Sequence, residues 1–257
     1  MLLGLLASSF AVAHDFWIEA RPYYTAPGDT VEFSLHVGEE FVGDSLPNIA
    51  QRYLAFSIYQ PDRVIEMPGE LGRDPAGYFQ APVEGTYLAG YQSIFNTTGI
   101  DSDTFVRYLE KEGLEHARKQ FLNRDQKPAS TTERFKRHAK VLWQTGQSFE
   151  RDDSQLVIGY DLELVPRQNP YQLAPGSKLD LRLLYLGQPA ADIMVAAFSK
   201  SAPDQVQTVR SDAQGRVSFV LDRPGPWLIK AVRIERLQDQ QQEWESHWAS
   251  LTFSLGR

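Results

Sequence analysis

The chain has 257 residues, of which 42% are hydrophobic and 12% aromatic, and its formal net charge is −7. This length allows one large domain or two ordinary ones, and this composition excludes a disordered chain. The acidic balance argues against a nucleic-acid partner, and the absence of cysteine excludes disulfides and thiolate metal ligands.

The first 13 residues are predicted to be a signal peptide. Residues 2–12 are apolar or small, and Ala11-Val12-Ala13 fits the small-x-small pattern of signal peptidase cleavage. Cleavage there makes His14 the first residue of the mature protein, and its free amine and imidazole together suit a transition metal. The alternative is that His14 comes first by chance. No later segment reaches the roughly 18 apolar residues of a membrane span, so we expect a periplasmic protein without a transmembrane segment.

Residues 14–100 predict a β-sandwich. Val31, Phe33 and Leu35 alternate with polar residues, which is the period-two pattern of a half-buried strand. Further strand-like segments continue as far as Ile94, and glycine and proline separate them.

Residues 101–154 predict a helical insert or bridge. Two helices are expected in its first part. The segment Ser130-Thr131-Thr132-Glu133 then matches a capping box, which marks the start of another helix. Phe135, Ala139 and Leu142 lie at helical spacing and define one face of this third helix.

Residues 155–257 predict a second sandwich. Ala174-Pro175-Gly176 followed by alternating leucines resembles Ala26-Pro27-Gly28 and the strand after it, which indicates a divergent duplication. A Gly-x-Pro turn, the Asp212-x-x-Gly215 hairpin and a Pro-Gly-x-aromatic strand entry resemble transthyretin-like and carboxypeptidase-regulatory sandwiches. We therefore expect a mainly β protein: two Ig-like or transthyretin-like sandwich modules with a helical insert between them.

Both ends of the predicted mature chain carry recognisable segments, His14-Asp15-Phe16-Trp17-Ile18-Glu19 and Trp244-Glu245-Ser246-His247-Trp248. With residues 108–114 and 134–142, they make the chain similar to a bacterial family of unknown function. That family is grouped with the periplasmic components of ABC-type cobalt and nickel transport systems. The resemblance implies an exported accessory protein that binds a divalent transition metal, with a membrane transporter component as its partner.

A metal in this protein must be held by histidine, carboxylate or the terminal amine. We predict His14, His138 and His247 as metal residues, for nickel, cobalt, copper or zinc. His138 borders the apolar face of the predicted third helix, and His247 shares strand parity with inward-pointing residues. The alternative for both is a hydrogen-bonded core histidine. His36 and His116 are expected on the surface, and no His-x-His or His-x-x-x-His pair occurs, so any site must be assembled in space.

Enzyme motifs are absent from the sequence. It has no Gly-x-Ser-x-Gly elbow, phosphate loop or His-Glu-x-x-His motif, so no enzyme is predicted. The leading hypothesis is accessory metal binding in or near an uptake system. The alternative is a β-sandwich adhesion or scaffold module that binds protein or glycan without metal. A copper-dependent oxidative enzyme built on the terminal histidine is the least favoured hypothesis.

Overall fold

The computed structural model describes residues 14–126, 128–238 and 241–256. Strands account for 55% of the structure and helices for 10%, which confirms the mainly β class. The predicted signal peptide, residues 1–13, lies outside the described residues.

Eighteen strands and two α-helices make up the described elements, together with 3₁₀ turns at Ala50–Arg52 and Pro170–Gln172. The helices are α1 (Ser102–Lys111) and α2 (Glu115–Leu122). The strands are β1 (Asp15–Arg21), β2 (Tyr24–Thr25), β3 (Thr30–Glu39), β4 (Val42–Leu46), β5 (Tyr53–Tyr59), β6 (Val64–Glu66), β7 (Gly77–Gln80), β8 (Gly85–Ser93), β9 (Asn96–Asp101), β10 (Ser130–Thr145), β11 (Leu162–Pro166), β12 (Ser177–Tyr185), β13 (Gln188–Pro189), β14 (Met194–Ser199), β15 (Ala202–Arg210), β16 (Arg216–Leu221), β17 (Gly225–Arg236) and β18 (Trp244–Leu255).

These strands form three sheets. The central sheet has ten strands in the order β15-β14-β17-β18-β10-β8-β5-β6, and β2 and β9 also pair with β10. The front sheet has the order β1-β3-β4, with β7 on β3, and the back sheet has the order β11-β12-β13, with β16 on β12. Strands β10 and β18 run parallel, so strands from both halves of the chain lie side by side in the central sheet.

The central sheet is the middle layer, because successive side chains of a strand point to opposite faces. On one face, Val141 and Trp143 of β10 pack with the front sheet in a core that includes Phe33. On the other face, Leu142 packs with the back sheet in a core that includes Leu181. Strand β10 is therefore covered on both sides along this part of its length.

The two predicted helices at the start of the insert are confirmed. Asp101 caps α1, because its carboxylate accepts the backbone N–H of Thr104 at 2.9 Å. Phe105 and Phe121 then pack against Trp244 in a third core. Within the described ranges, no helix has the length and apolar character needed to cross a membrane.

The predicted third helix is wrong, because Ser130–Thr145 forms β10. Helical spacing placed Phe135 and Leu142 on one face, but they lie in different cores on opposite faces of the strand. Lys136 and Lys140, which a surface helix would have exposed, lie on the face that the back sheet covers. Lys140 is only 1% exposed. Alternation between basic and apolar residues was the strand signal, and the capping-box match obscured it.

The domain boundaries at 100/101 and 154/155 stay a prediction. Helices occupy only the first part of the predicted insert. Its strand β10 pairs with β8 on one side and with β18 on the other. The segment predicted to bridge two sandwiches thus contributes a strand at the middle of the central sheet.

Candidate metal site

The candidate site lies where β10 and β18 run side by side beneath the back sheet. Their register pairs Lys136 with His247, and His138 with Ala249. His138 follows Lys136 by two residues, so both project from the same face of β10, next to His247 on β18. Asp161 directly precedes β11 and reaches the two histidines from the back-sheet side.

Three ligand atoms converge at this point. His138 Nε2 lies 3.3 Å from His247 Nδ1, and Asp161 Oδ2 lies 3.9 Å from the first nitrogen and 3.7 Å from the second. A triangle with these sides has a circumscribed radius of about 2.1 Å, which matches zinc–nitrogen and zinc–oxygen bond lengths of about 2.0–2.2 Å. In the part of the chain that the structure describes, this is the one group of three such side chains with ligand atoms this close together.

The second nitrogen of each ring also has a protein partner. Glu245 Oε1 lies 3.0 Å from His247 Nε2, and Arg134 Nε holds the same carboxylate at 2.6 Å. Because an ionised carboxylate only accepts hydrogen bonds, Nε2 of His247 carries the proton and Nδ1 presents its lone pair to the cluster. His138 Nδ1 lies 3.4 Å from the amide of Gln92. Glu245 is the kind of acceptor that orients a histidine ligand in metal sites. The Gln92 amide nitrogen only donates, so His138 Nδ1 accepts and Nε2 of His138 carries the proton in the empty cluster.

Burial keeps both imidazoles neutral. The side chain of His138 is 0% exposed and that of His247 is 3% exposed. Burial, reinforced by the neighbouring imidazole, lowers the pKa of His138 to about 3, and burial also lowers the pKa of His247. Neutral imidazole is the form that binds a metal ion. His247 Nδ1 already presents a lone pair, whereas His138 must move its proton from Nε2 to Nδ1 before Nε2 can bind an ion.

Asp161 is the charged member of the cluster and its most accessible one. Burial acts to raise the pKa of Asp161, but the hydrogen bond from Lys136 and the nearby imidazoles hold it below its ordinary value. The Asp161 side chain is 24% exposed. The rings of Phe95 and Tyr185 flank His247, with centroid distances of 6.0 and 5.5 Å. The cluster is thus closed towards the core and partly open beside Asp161.

The structure brings His138 and His247 together and places His14 elsewhere. His14 Nδ1 lies 3.4 Å from Glu39 Oε1, and Lys111 Nζ contacts the same carboxylate group at 2.8 Å. These residues line a cavity of about 380 Å³ beside α1. His14 therefore does not belong to the convergent cluster, and its role as a metal ligand stays a prediction for a separate site.

The two remaining histidines, His116 and His36, differ in burial. His116 is exposed, as predicted, and lies 2.8 Å from the amide of Gln120. The prediction for His36 was wrong, because this residue is 7% exposed and its ring stacks on Trp17 with centroids 5.3 Å apart. The face of β3 that holds His36 is not exposed to solvent. On this side of the front sheet, Trp17 and Phe41 pack against residues of β14 and β17.

Sequence reasoning missed the carboxylates of the site. Asp161 lies in an irregular segment just before a strand, and no local motif marks it. Glu245 is two residues from His247, so strand parity places the two on one face, and this was the available signal. Asp161 had only a weaker signal: an acidic residue that the fold brings to the basic residues of β10.

The fold and the site define a layered β-sandwich protein with a buried His-Asp-His cluster. The chain belongs to the family described as Domain of unknown function (DUF4198), whose profile matches residues 11–235. This match confirms the expected membership of a family of unknown function. It gives no support to the narrower resemblance to cobalt and nickel transport components. A search of curated proteins finds no match.

The solved structures that the chain matches share little sequence with it. The D0-D1 domain of Intimin is 10% identical, with 93% of this chain and 97% of that chain covered and a TM-score of 0.21. A tetra-tandem repeat in the extending region of a large adhesion protein is 13% identical, with coverages of 94% and 49% and a TM-score of 0.22. A DUF3823 family protein from Bacteroides uniformis ATCC 8492 is 8% identical, with coverages of 95% and 100% and a TM-score of 0.24. At TM-scores this low, none of them assigns a ligand or a function to this chain.

Proposed function

We propose that this chain is an accessory protein that binds a divalent transition metal ion through His138, Asp161 and His247. The observation that supports the proposal is the spacing of the three ligand atoms, which fits an ion about 2.1 Å from each. Two imidazole nitrogens and one carboxylate oxygen suit zinc, cobalt, nickel and copper.

The number of protein ligands favours reversible binding. Structural zinc sites use four protein ligands, whereas a site with three leaves a position for water or another exchangeable group. The partial exposure of Asp161 provides the direction from which an ion and its remaining ligands would enter. A three-ligand site of this kind fits a protein that loads and releases metal.

The biological setting comes from the sequence. The predicted signal peptide and the resemblance to cobalt and nickel transport components favour a periplasmic protein with nickel or cobalt as cargo. They also favour a membrane transporter component as its partner. The donor set itself admits zinc and copper equally well, so the metal must be determined by binding measurements.

A second candidate is an adhesion or scaffold module that binds protein or glycan without metal. The ring nitrogens already form a chain from Gln92 through His138 and His247 to Glu245, which needs no ion. Two links in this chain are 3.4 and 3.3 Å long, beyond the usual range of about 2.7–3.2 Å, so they are weak hydrogen bonds. The observation that favours the scaffold is that both imidazoles are already hydrogen-bonded without an ion, although two of the three bonds are weak.

Calorimetric titration of processed, tag-free protein with Zn²⁺, Ni²⁺ and Co²⁺ separates the two candidates. The metal proposal predicts that His138→Gln and His247→Gln each weaken binding by more than the roughly 10–100-fold that loss of an outer partner costs. His116→Gln is the matched control, because it removes an exposed histidine, and it should bind as the wild type does. Bound metal should also raise the melting temperature, because it stabilises the folded state.

Circular dichroism of each variant establishes that the fold is intact. Absence of binding in the wild type, or equal affinity in all four proteins, would remove the cluster from consideration as a metal site. Recognition of a protein or glycan by the same metal-free samples would then favour the scaffold.

A further inference from the structure

We propose that the ammonium group of Lys136 competes with the metal ion for the carboxylate of Asp161. It occupies Asp161 while the site is empty and leaves when an ion binds. This inference rests on the metal site proposed above and concerns how that site is controlled.

The competition follows from a shared oxygen atom. Lys136 Nζ lies 2.8 Å from Asp161 Oδ2, which is the same atom that completes the ligand triangle with the two histidines. An ion bound to this oxygen would lie within about 5 Å of the ammonium, where two like charges repel strongly if water is partly excluded. The Lys136 side chain is only 12% exposed, so solvent screens that repulsion weakly.

The charges around the empty cluster are already balanced. Lys136 offsets Asp161, and Arg134 offsets Glu245 through a contact of 2.5 Å. The two imidazoles between these pairs are neutral. A divalent ion therefore brings charge that the cluster does not compensate, and withdrawal of Lys136 frees the Asp161 carboxylate to compensate part of it.

Lys136 has a second contact besides Asp161, with the ring of Phe95. Its ammonium lies 5.0 Å from the ring centroid of Phe95, and this ring is 40% exposed. This cation–π contact is present in the empty site, and Arg134 lies over the same ring at 5.0 Å. When the ammonium leaves Asp161, the contact with Phe95 remains, and rotation of the flexible side chain past the exposed ring can carry the ammonium towards water. Phe95 also flanks His247, so the displaced ammonium stays near the site and can return when the ion leaves.

The test is a titration of wild type and Lys136→Met with Zn²⁺ and Co²⁺. Removal of the competing ammonium should tighten binding of both ions about tenfold, which corresponds to about 1.4 kcal/mol. Lys178→Met is the matched control, because it removes the same charge from an exposed lysine of β12 and should leave the affinity unchanged. Lys136→Gln provides a second variant if the methionine protein does not fold.

A second readout uses the wild-type protein alone. Displacement by Zn²⁺ should expose the ammonium, so acetylation of Lys136, followed by mass spectrometry, should become faster in the presence of the ion. Slower or unchanged acetylation of metal-loaded protein would count against displacement.

The outcomes distinguish this inference from the proposed function. Equal or weaker binding by Lys136→Met, with clear binding by the wild type, overturns the competitor and leaves the metal function standing. Absence of binding in every protein overturns both. Binding by the variant alone would confirm that Lys136 blocks the ion and would overturn metal binding by the wild type.

Discussion

Asp161 and Glu163, at the start of the back sheet, each form an ion pair with a lysine of β10. The two ion pairs differ in their surroundings. Asp161 contacts Lys136 and Glu163 contacts Lys140, each at 2.8 Å. Both side chains of the second pair are 1% exposed, whereas the Asp161 side chain is 24% exposed. The two pairs are therefore alike in chemistry and distance, and they differ in burial and in their other neighbours.

The neighbours decide what each carboxylate can do. Both oxygens of Glu163 are occupied, because three backbone N–H groups donate to them at 2.9–3.3 Å, from Ile158, Gly159 and Tyr160. Asp161 instead faces the imidazole nitrogens of His138 and His247. A buried carboxylate saturated by backbone donors fixes the fold, while one that faces neutral imidazoles can share a cation.

The largest expected loss of stability comes from breaking the fully buried pair of Lys140 and Glu163. Glu163→Gln leaves Lys140 without a counter-ion in the core, and removal of one member of a buried pair costs about 3–5 kcal/mol. Asp161→Asn is the matched change at the less buried pair and should cost less, because the Asp161 side chain is 24% exposed and water can replace part of the lost contact. Urea unfolding at neutral pH measures both free energies, and equal losses would contradict the distinction between the two pairs.

Glu133, on the opposite face of β10, extends the comparison to a buried carboxylate without a direct cation partner. It is 0% exposed and accepts hydroxyl hydrogen bonds from Tyr108 and Ser246. Burial raises the pKa of Glu133 to about 7, above its ordinary value of 4.5. Between these values the folded protein holds a proton that the unfolded chain has lost, so the free energy of unfolding should fall as pH rises, by about 3 kcal/mol in total.

Glu133→Gln should remove this pH dependence, because glutamine keeps the acceptor oxygen and does not ionise. The variant should match the wild type near pH 4 and be more stable near pH 8 by up to about 3 kcal/mol. Denaturant unfolding at both pH values provides the measurement. Parallel pH profiles for the two proteins would show that Glu133 is already ionised in the folded state.

A smaller effect is expected from Glu245, which positions His247 without belonging to the ligand triangle. Glu245→Gln weakens the acceptor that fixes the protonated nitrogen of His247, and changes of this kind lower metal affinity by about 10–100-fold. Competition with a chelator of known affinity measures the change. Glu70→Gln is the control, since Glu70 pairs with Arg73 at the surface, where both side chains are 74% exposed. Unchanged affinity in Glu245→Gln would mean that the ring needs no such support.

The comparison also shows where sequence reasoning succeeds. The β class, the first two helices and the inward orientation of His247 follow from local periodicity. His138 is also buried, but its predicted orientation assumed a helix where β10 lies. The burial of Lys136 and Lys140 does not follow from local periodicity, because the acidic residues that neutralise them come 23–25 residues later in the chain. Pairing over that distance depends on how the layers stack, which local patterns do not encode. For the same reason Asp161 was not identified, and His36 was expected to be exposed.

X-ray absorption at the metal edge of zinc-loaded, tag-free protein tests the central claim most directly. The structure predicts two imidazole nitrogens and at least one carboxylate oxygen around the ion, at about 2.0–2.2 Å. One imidazole should disappear from the spectrum in His138→Gln. A shell made only of oxygen, or a shell that His138→Gln leaves unchanged, would contradict the assignment of His138, Asp161 and His247 as the metal site.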